Sequence, residues 1–171
     1  GFLIEDDKKI AKRHDGKVFE RYTHPLAMDA NSSVQNTFFQ YMIGNTDFSV
    51  AYQHNGKLLF ANKKIIPLPY DFDMSGLVDA SYAVANETLG ISSVRQRKYR
   101  GFKRAQPIID KVRDEFIANK IRIFEVIEYY KDRFELESEY SSIKDYIESF
   151  YKILEDDSSF QKNIVAEFRT K

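Results

Sequence analysis

Residues 44–55 read GNTDFSVAYQHN, and residues 70–76 read YDFDMSG. Both stretches place polar side chains at the ends of short apolar runs, namely Asp47, Asn55, Asp71 and Asp73. Asp and Asn are common at turns because their side chains hydrogen-bond to nearby backbone groups. The same side chains can hold a metal ion or accept a proton. The interpretation of fold and function depends on which of these roles they have.

The segment just before these loops has the pattern of a buried helix. In residues 31–44, NSSVQNTFFQYMIG, apolar side chains recur at helical spacing. Asn31 or Ser32 is suited to the N-cap, and Gly44 is suited to the C-terminal stop. We therefore predict a helix that ends just before Asp47.

Three short apolar runs follow, FSVAY (48–52), KLLF (57–60) and KIIPLPY (64–70). Their length and the turn residues between them predict small strands and a hairpin. Pro67 and Pro69 exclude a helix in the third run and favour an edge or terminal strand there.

The remaining segments complete the predicted fold. Residues 5–14 indicate a short surface helix with acidic residues first and basic residues last. Residues 76–104 are predicted to be mostly loop. From Pro107 onward, apolar side chains recur at helical spacing to the end of the chain. The predicted fold class is α+β, mainly helical, with a small β-hairpin that carries the polar loops.

Composition excludes several classes of function. The chain has 171 residues, 43% of them hydrophobic, which suffices for a single domain with a substantial core. Lys plus Arg and Asp plus Glu each total 26, so the net charge gives no reason to expect nucleic acid or a membrane surface as partner. The absence of Cys excludes thiol catalysis, Cys-ligated zinc and disulfides. No apolar run approaches the ~20 residues of a membrane span.

The spacing of glycine and histidine excludes further chemistry. The seven glycines are too far apart to build a Gly-rich phosphate loop. The three histidines lack metal-ligand spacing, so His54 is predicted to be a hydrogen-bonding loop residue rather than a ligand.

One interpretation of the carboxylates is a calcium loop. In DFDMSGLVDASY, residues 71–82, oxygen-bearing side chains occupy several positions of an EF-hand loop, namely Asp71, Asp73, Ser75 and Asp79. Tyr82 stands where the bidentate Glu belongs, and the preceding Pro-containing run cannot be the entering helix. What remains is a looser Ca²⁺ site in a non-catalytic binding module.

The order of the elements favours a second interpretation. A helix is followed by Asp47 in a loop, then by Asn55, two short strands and Asp71. Phosphotransferases of the protein-kinase-like fold have this order: an Asp accepts the hydroxyl proton, an Asn binds one metal, and a second Asp bridges metal and phosphates.

Over roughly residues 1–101, the chain resembles the CotH-like and HipA-like atypical kinases. The matching segments are GFLIEDDKKIAKR, FFQYMIGNTDFSV, PYDFDMSGLVDASYA and SVRQRKYRG, and the fuller match is to CotH-like proteins of Bacteroidetes. The resemblance implies one domain, a kinase-like C-terminal lobe over residues 1–171. Within it, residues 1–22 would follow the inter-lobe hinge, 32–104 would carry the catalytic and metal loops and an activation-like segment, and 105–171 would form a helical subdomain.

The resemblance also implies roles for individual residues. Asp47 would be the catalytic Asp, and Asn55 and Asp71 would bind metal, with Asp73 as a second acidic group. The cofactor would be ATP with Mg²⁺ or Mn²⁺, and the acceptor a hydroxyl of an unidentified protein. Transfer of AMP and loss of catalysis, as in a pseudokinase, are open alternatives. A location outside the cytoplasm would fit the family.

Two features depart from the kinase pattern. The Asn usually follows the Asp by five residues, a position that Tyr52 occupies here, whereas Asn55 follows Asp47 by eight. The chain also lacks the Gly-rich strand pair and the phosphate-contacting Lys of an N-terminal lobe. Because it begins GFLIEDDKK, without an initiator Met or a signal-peptide pattern, we expect a segment of a longer protein that is inactive without that lobe.

A basic segment follows the polar loops. Six basic side chains lie within ten residues, Arg95, Arg97, Lys98, Arg100, Lys103 and Arg104. Arg95, Arg97 and Arg100 are the candidates for binding an acidic or phosphorylated substrate. Binding of nucleic acid is the less favoured alternative, with Tyr99 and Phe102 available to stack on bases. A solvated loop without function is the third interpretation.

Overall fold

The computed structural model describes residues 5–170, which have the predicted α+β class. The first helix, α1 (Asp7–Arg13), begins after Asp6, whose carboxylate accepts hydrogen bonds from the N–H groups of Lys8 and Lys9. This confirms the predicted helix at residues 5–14. Residues 1–4 of the expected post-hinge segment lie outside the described residues. A short strand, β1 (Lys17–Val18), follows.

Helix α2 (Ala30–Ile43) is the buried helix that the sequence predicts. Its N-cap is neither Asn31 nor Ser32 but Asp29, because the Asp29 carboxylate accepts hydrogen bonds from both the N–H and the hydroxyl of Ser32. Gly44 ends the helix in the left-handed conformation, at φ 66°, as predicted.

The sheet has three antiparallel strands in the order β1-β2-β3. Strands β2 (Gly56–Ala61) and β3 (Lys64–Pro69) form the predicted hairpin, and β3 is an edge strand as its prolines indicate. The predicted strand at 48–52 is wrong. Residues 50–53 form a turn closed by a single antiparallel bridge, because the chain reverses within this segment rather than extending.

The C-terminal half is helical, as predicted, and consists of α3 (Gln106–Ala118), α4 (Lys120–Tyr129), α5 (Glu137–Glu155) and α6 (Asp157–Asn163). Residues 76–104 are mostly loop, with one short 3-10 helix. The main core joins α2 to the helical half, and Phe38 and Phe150 are fully buried in it. Among the helices of residues 5–170, none is long and apolar enough to cross a membrane.

The end of α2 is fastened to the loop that follows β3. The N–H groups of Gly76 and Leu77 donate to the carbonyls of Gly44 and Ile43, at 3.2 and 2.9 Å. The hydroxyl of Tyr146, on α5, lies against both glycines, so that a Cβ at either position would collide with it. A Cβ on Gly76 would also meet the carbonyl oxygen of Val94. Glycine is therefore required where the two polar loops meet.

The substitution Gly76→Ala should destabilise the fold by about 1–3 kcal/mol, because the added methyl group overlaps main-chain atoms that cannot move independently. The free energy of unfolding, measured by urea denaturation, tests this. Gly56→Ala is the matched control: its methyl group would approach no heavy atom closer than the Leu68 carbonyl oxygen at 3.6 Å. An equal effect of the two substitutions would contradict the packing described here.

Candidate functional site

Hydrogen bonds hold Asp47 in one orientation. Its Oδ1 lies 3.1 Å from Nε2 of His54, and its Oδ2 accepts a hydrogen bond from the Asn55 amide at 3.0 Å. The same amide donates to the Asp47 carbonyl at 2.7 Å, and the Asp47 N–H donates to Oδ1 of Asn45 at 2.9 Å. The side chain is nevertheless 44% exposed. The carboxylate is therefore fixed and also accessible. His54 is the hydrogen-bonding loop residue that the sequence predicts.

The eight-residue interval between Asp47 and Asn55 is accommodated by the turn at 50–53. The N–H and carbonyl groups of Ser49 and His54 form two hydrogen bonds of 3.0 Å, which close the turn at its base. Asn55 adopts a positive φ of 50°, a conformation that Asn tolerates well. Tyr52 is 78% exposed and lies within the turn. The chain thus returns to place the amide of Asn55 against Asp47.

Arg100 also holds the loop that carries Asp47, through hydrogen bonds to its backbone. Its Nη1 donates to the carbonyls on both flanks of Asp47, those of Thr46 at 2.6 Å and Phe48 at 2.8 Å. Its guanidinium carbon also lies 4.9 Å from the centre of the Phe48 ring. Burial lowers the pKa of Arg100, as does the charge of Arg169, and the charge of Asp47 opposes this shift.

Asp71 lies directly after β3 in a left-handed conformation, at φ 59°. Its Oδ1 is shielded from solvent and has no hydrogen-bond partner within residues 5–170. Burial raises the pKa of Asp71, and so do the contact with the Asp73 side chain and the charges of Asp73 and Asp47, whereas a hydrogen bond from the Asp73 backbone opposes the shift. Oδ2 of Asp73 accepts a hydrogen bond from the hydroxyl of Tyr82 at 3.0 Å. The Asp71 carboxylate therefore lies close enough to those of Asp73 and Asp47 for their negative charges to repel it, and a proton or a cation would relieve that repulsion.

The available ligand atoms match a hard cation. Carboxylate and amide oxygens are the ligands that Mg²⁺ and Mn²⁺ prefer, and the amide nitrogen of Asn55 is already bound to Asp47, which leaves its oxygen for an ion. Among residues 5–170, no group of three or more His, Asp or Glu side chains could hold a metal ion unaided. Mg²⁺ in proteins commonly binds one or two carboxylates together with substrate phosphates, and Asp71 and Asp73 fit that pattern.

Two of the four predicted calcium ligands have other partners. Oδ2 of Asp79 lies 3.4 Å from Nη1 of Arg95. Ser75 is buried, and its hydroxyl oxygen accepts a hydrogen bond from the Val78 N–H at 3.4 Å. Asp71 and Asp73, the other two predicted calcium ligands, lie next to each other.

The basic segment does not form one exposed positive patch, contrary to expectation. Arg97 is mostly buried and donates to main-chain carbonyls and to Ser149, while Arg100 braces the Asp47 loop. Arg95 is half-buried and pairs with Asp79. Tyr99 is only 2% exposed, so it cannot stack on a nucleic-acid base. Of the three arginines expected to bind a substrate, Arg95 and Arg97 are thus held by contacts within the chain, and Arg100 also lines a cavity.

Comparisons with family models, curated proteins and solved structures find no match to this chain. Its own geometry carries the functional argument below.

Two contributors to the site were missed from the sequence. Tyr82 binds Asp73, and Tyr146 packs where the loops meet. Each is an isolated Tyr without a distinguishing local pattern. The bracing role of Arg100 was missed as well, although the cluster of basic residues around it was a signal that arginines were needed there.

The raised pKa of Asp71 predicts a pH dependence of stability. Because the folded state holds this proton more tightly than the unfolded chain does, the stabilisation is full below the ordinary pKa of 3.8 and is lost as pH rises through the raised value. With a chelator present at neutral pH, Asp71→Asn should therefore raise the urea midpoint of unfolding. The difference from the original chain should vanish as pH falls towards 3.8.

Asp114→Asn is the control, since Asp114 is exposed on α3 and outside the carboxylate cluster. It should leave the midpoint nearly unchanged at every pH. A loss of stability in Asp71→Asn at neutral pH would show that the carboxylate charge is compensated in the folded chain.

Proposed function

We propose that this chain is the C-terminal lobe of an atypical kinase of the CotH-like and HipA-like type. It would transfer phosphate from metal-bound ATP to a protein hydroxyl. The observation that carries the proposal is the environment of Asp71, a carboxylate with a shielded, unpartnered oxygen beside Asp73 and Asp47. Phosphoryl transfer needs a proton acceptor and cation ligands held close together, because the reaction depends mainly on positioning and on neutralising phosphate charge.

Asp47 is the proton acceptor of the proposal. His54 and Asn55 fix its carboxylate, and its exposure lets a substrate hydroxyl reach it. A carboxylate has about four acceptor positions, so the two hydrogen bonds leave capacity for the hydroxyl. His54 acts as a positioning residue, since its ring nitrogen contacts Asp47 alone among these groups.

Asp71, Asp73 and the oxygen of Asn55 would hold the metal. A bound Mg²⁺ or Mn²⁺ would supply neutralisation of the charge on the phosphates.

A cavity of about 270 Å³ next to Asp71 is the candidate site for the nucleoside. It is lined by Ile10, Lys57, Leu68, Pro69, Tyr70 and the acidic residues Glu5 and Asp7. Tyr70 precedes Asp71, and its N–H donates to the Asn55 carbonyl, so the cavity adjoins the proposed metal ligands. An apolar wall suits a base, and carboxylates at its margin suit ribose hydroxyls.

The proposal assigns the groups that cover the nucleotide to an N-terminal lobe outside residues 1–171. Turnover is therefore expected of the longer protein, whereas binding of Mn²⁺ and ATP is expected of this chain alone. Transfer of AMP would use the same residues, and the mass added to the acceptor distinguishes the two reactions.

Replacing Asp47 by Ala in the longer protein should lower turnover by ~100-fold or more, as loss of a positioned general base does. The measurement is transfer of labelled phosphate at saturating Mn²⁺ and ATP. Asp114→Ala, an exposed change elsewhere, serves as the control and should leave the rate unchanged. Near-normal turnover in Asp47→Ala would remove the assignment of Asp47 as proton acceptor.

Mn²⁺ with ATP should raise the melting temperature of this chain, because a ligand that binds only the folded state stabilises it. Asp71→Asn should abolish the shift, and Asp79→Asn, which lies in the same loop but faces Arg95, should preserve it. A Ca²⁺-dependent shift that requires Asp79 and ignores nucleotide would instead support the calcium module.

A further inference from the structure

A second and larger cavity, of about 440 Å³, lies beside the Asp47 loop. Phe48 and Ser49, the two residues after Asp47, line it on one side. Helix α2 lines it on another side through Ser33, Asn36 and Thr37. This volume falls within the range of about 300–1,000 Å³ that is common for small-ligand sites. Neither the metal ligands nor the nucleoside cavity described above uses this space.

The charge of the cavity is positive. Arg100 and Arg169 line it, and among residues 5–170 no Asp or Glu does. The two guanidinium groups are close enough for the charge of Arg169 to lower the pKa of Arg100. Arg169 lies over the Phe102 ring, 4.6 Å from its centre, and makes no ion pair within the described residues. Guanidinium groups in this setting are suited to a carboxylate or a phosphate, which they bind through paired N–H donors.

One residue of the cavity lining carries an unsatisfied acceptor. Asn36 is only 7% exposed, and its Oδ1 has no hydrogen-bond partner within residues 5–170. A buried polar atom without a partner is costly, so an occupant that donates a hydrogen bond is favoured. His24 adds a polar group: its Nδ1 accepts a hydrogen bond from the Leu26 N–H, which leaves Nε2 for a ligand.

The rim of the cavity is aromatic and exposed. Tyr22 is 62% exposed and Tyr52 is 78% exposed, and their ring centres lie 5.2 Å apart. Exposed tyrosines at the edge of a charged pocket are typical of surfaces that bind peptides, because the rings bury large areas at little cost in side-chain entropy.

We infer that this cavity binds an anionic side chain, acidic or phosphorylated, of the acceptor protein, at a position near the hydroxyl that receives phosphate. The inference rests on the proposed function, which supplies the acceptor and places its hydroxyl at Asp47. Arg100 and Arg169 recognise the anion, and Asn36 accepts a hydrogen bond from the same segment. Arg100 thereby links binding of the anion to the position of Asp47, because it lines the cavity and also hydrogen-bonds to the loop that carries Asp47.

The test is an NMR titration of the ¹⁵N-labelled chain with three serine-containing peptides that are identical except for one residue near the serine. That residue is phosphoserine, Glu or Gln, and inorganic phosphate is a fourth probe. The two anionic peptides should cause saturable shifts in the side-chain Nε–H signals of Arg100 and Arg169. The Gln peptide should bind at least ~10-fold more weakly, a difference that one lost charged hydrogen-bond pair can produce. Tighter binding of the phosphoserine peptide would identify a phosphorylated side chain as the ligand, and tighter binding of the Glu peptide would identify an acidic one.

Arg169→Gln tests the site without touching the Asp47 loop. It should weaken binding of the anionic peptides by ~10-fold, leave the Gln peptide unchanged and preserve the thermal shift with Mn²⁺ and ATP. Arg133→Gln, an exposed arginine remote from the cavity lining, is the matched control and should change nothing. The inference would be overturned if all three peptides bound equally, or if the two variants had equal effects. It would also be overturned if inorganic phosphate bound and none of the peptides did.

The outcomes separate this inference from the proposed function. Peptide binding needs neither nucleotide nor turnover, and Asp47→Ala should leave it intact. If anionic peptides fail to bind while transfer still depends on Asp47, only the subsite is wrong. If transfer does not depend on Asp47, the kinase assignment fails whatever the titration shows.

Discussion

One buried guanidinium joins the two halves of the fold. Arg97 donates to the carbonyls of Tyr41 and Met42 at the C-terminal end of α2, and to the Tyr146 carbonyl and the Ser149 hydroxyl on α5. The last carbonyls of a helix lack partners within it, so a forked donor at this point satisfies several at once. Burial lowers the pKa of Arg97, and the ring of Tyr146, 3.7 Å from the guanidinium carbon, helps to retain the charge. These hydrogen bonds fix the end of α2 against α5, and thereby fix the start of the loop that carries Asp47.

The polar site is built on that framework and brings like charges together at Asp71. The carboxylate of Asp71 lies close to those of Asp73 and Asp47, and no Lys or Arg is paired to Asp71 or Asp73 in the described residues. Such an arrangement is unfavourable by itself and persists only when the surrounding packing imposes it. Sites that bind cations are commonly organised in this way, because the ion later satisfies the charges that destabilise the empty site.

Local patterns predicted most of the elements but few of the contacts that orient the site. The helices, the hairpin, the edge position of β3 and the stop at Gly44 follow from periodicity and from turn chemistry, which act over a few residues. The burial of Arg97 could not be predicted because its partner Ser149 is 52 residues away. The segment at 48–52 has the composition of a strand, yet its bridge partner His54 is too near for extension. Asp47, Asn55, Asp71 and Asp73 were predicted as a set; the structure joins Asp47 to Asn55 by hydrogen bonds and places Asp71 next to Asp73, while the metal and the chemistry remain proposals.

The prolines of β3 have a consequence for association between chains. The Ile65 carbonyl accepts a hydrogen bond from the Asp29 N–H, so it points away from β2. Along a strand, alternate residues point their backbone groups to the same side, so Pro67 and Pro69 share that outer edge. Neither proline has an N–H to donate, and the outer edge therefore offers a second strand few of the hydrogen bonds that a β-ladder needs. The edge next to Asp71 is thus protected from pairing with other chains, and the site can remain open to solvent without exposing the sheet to aggregation.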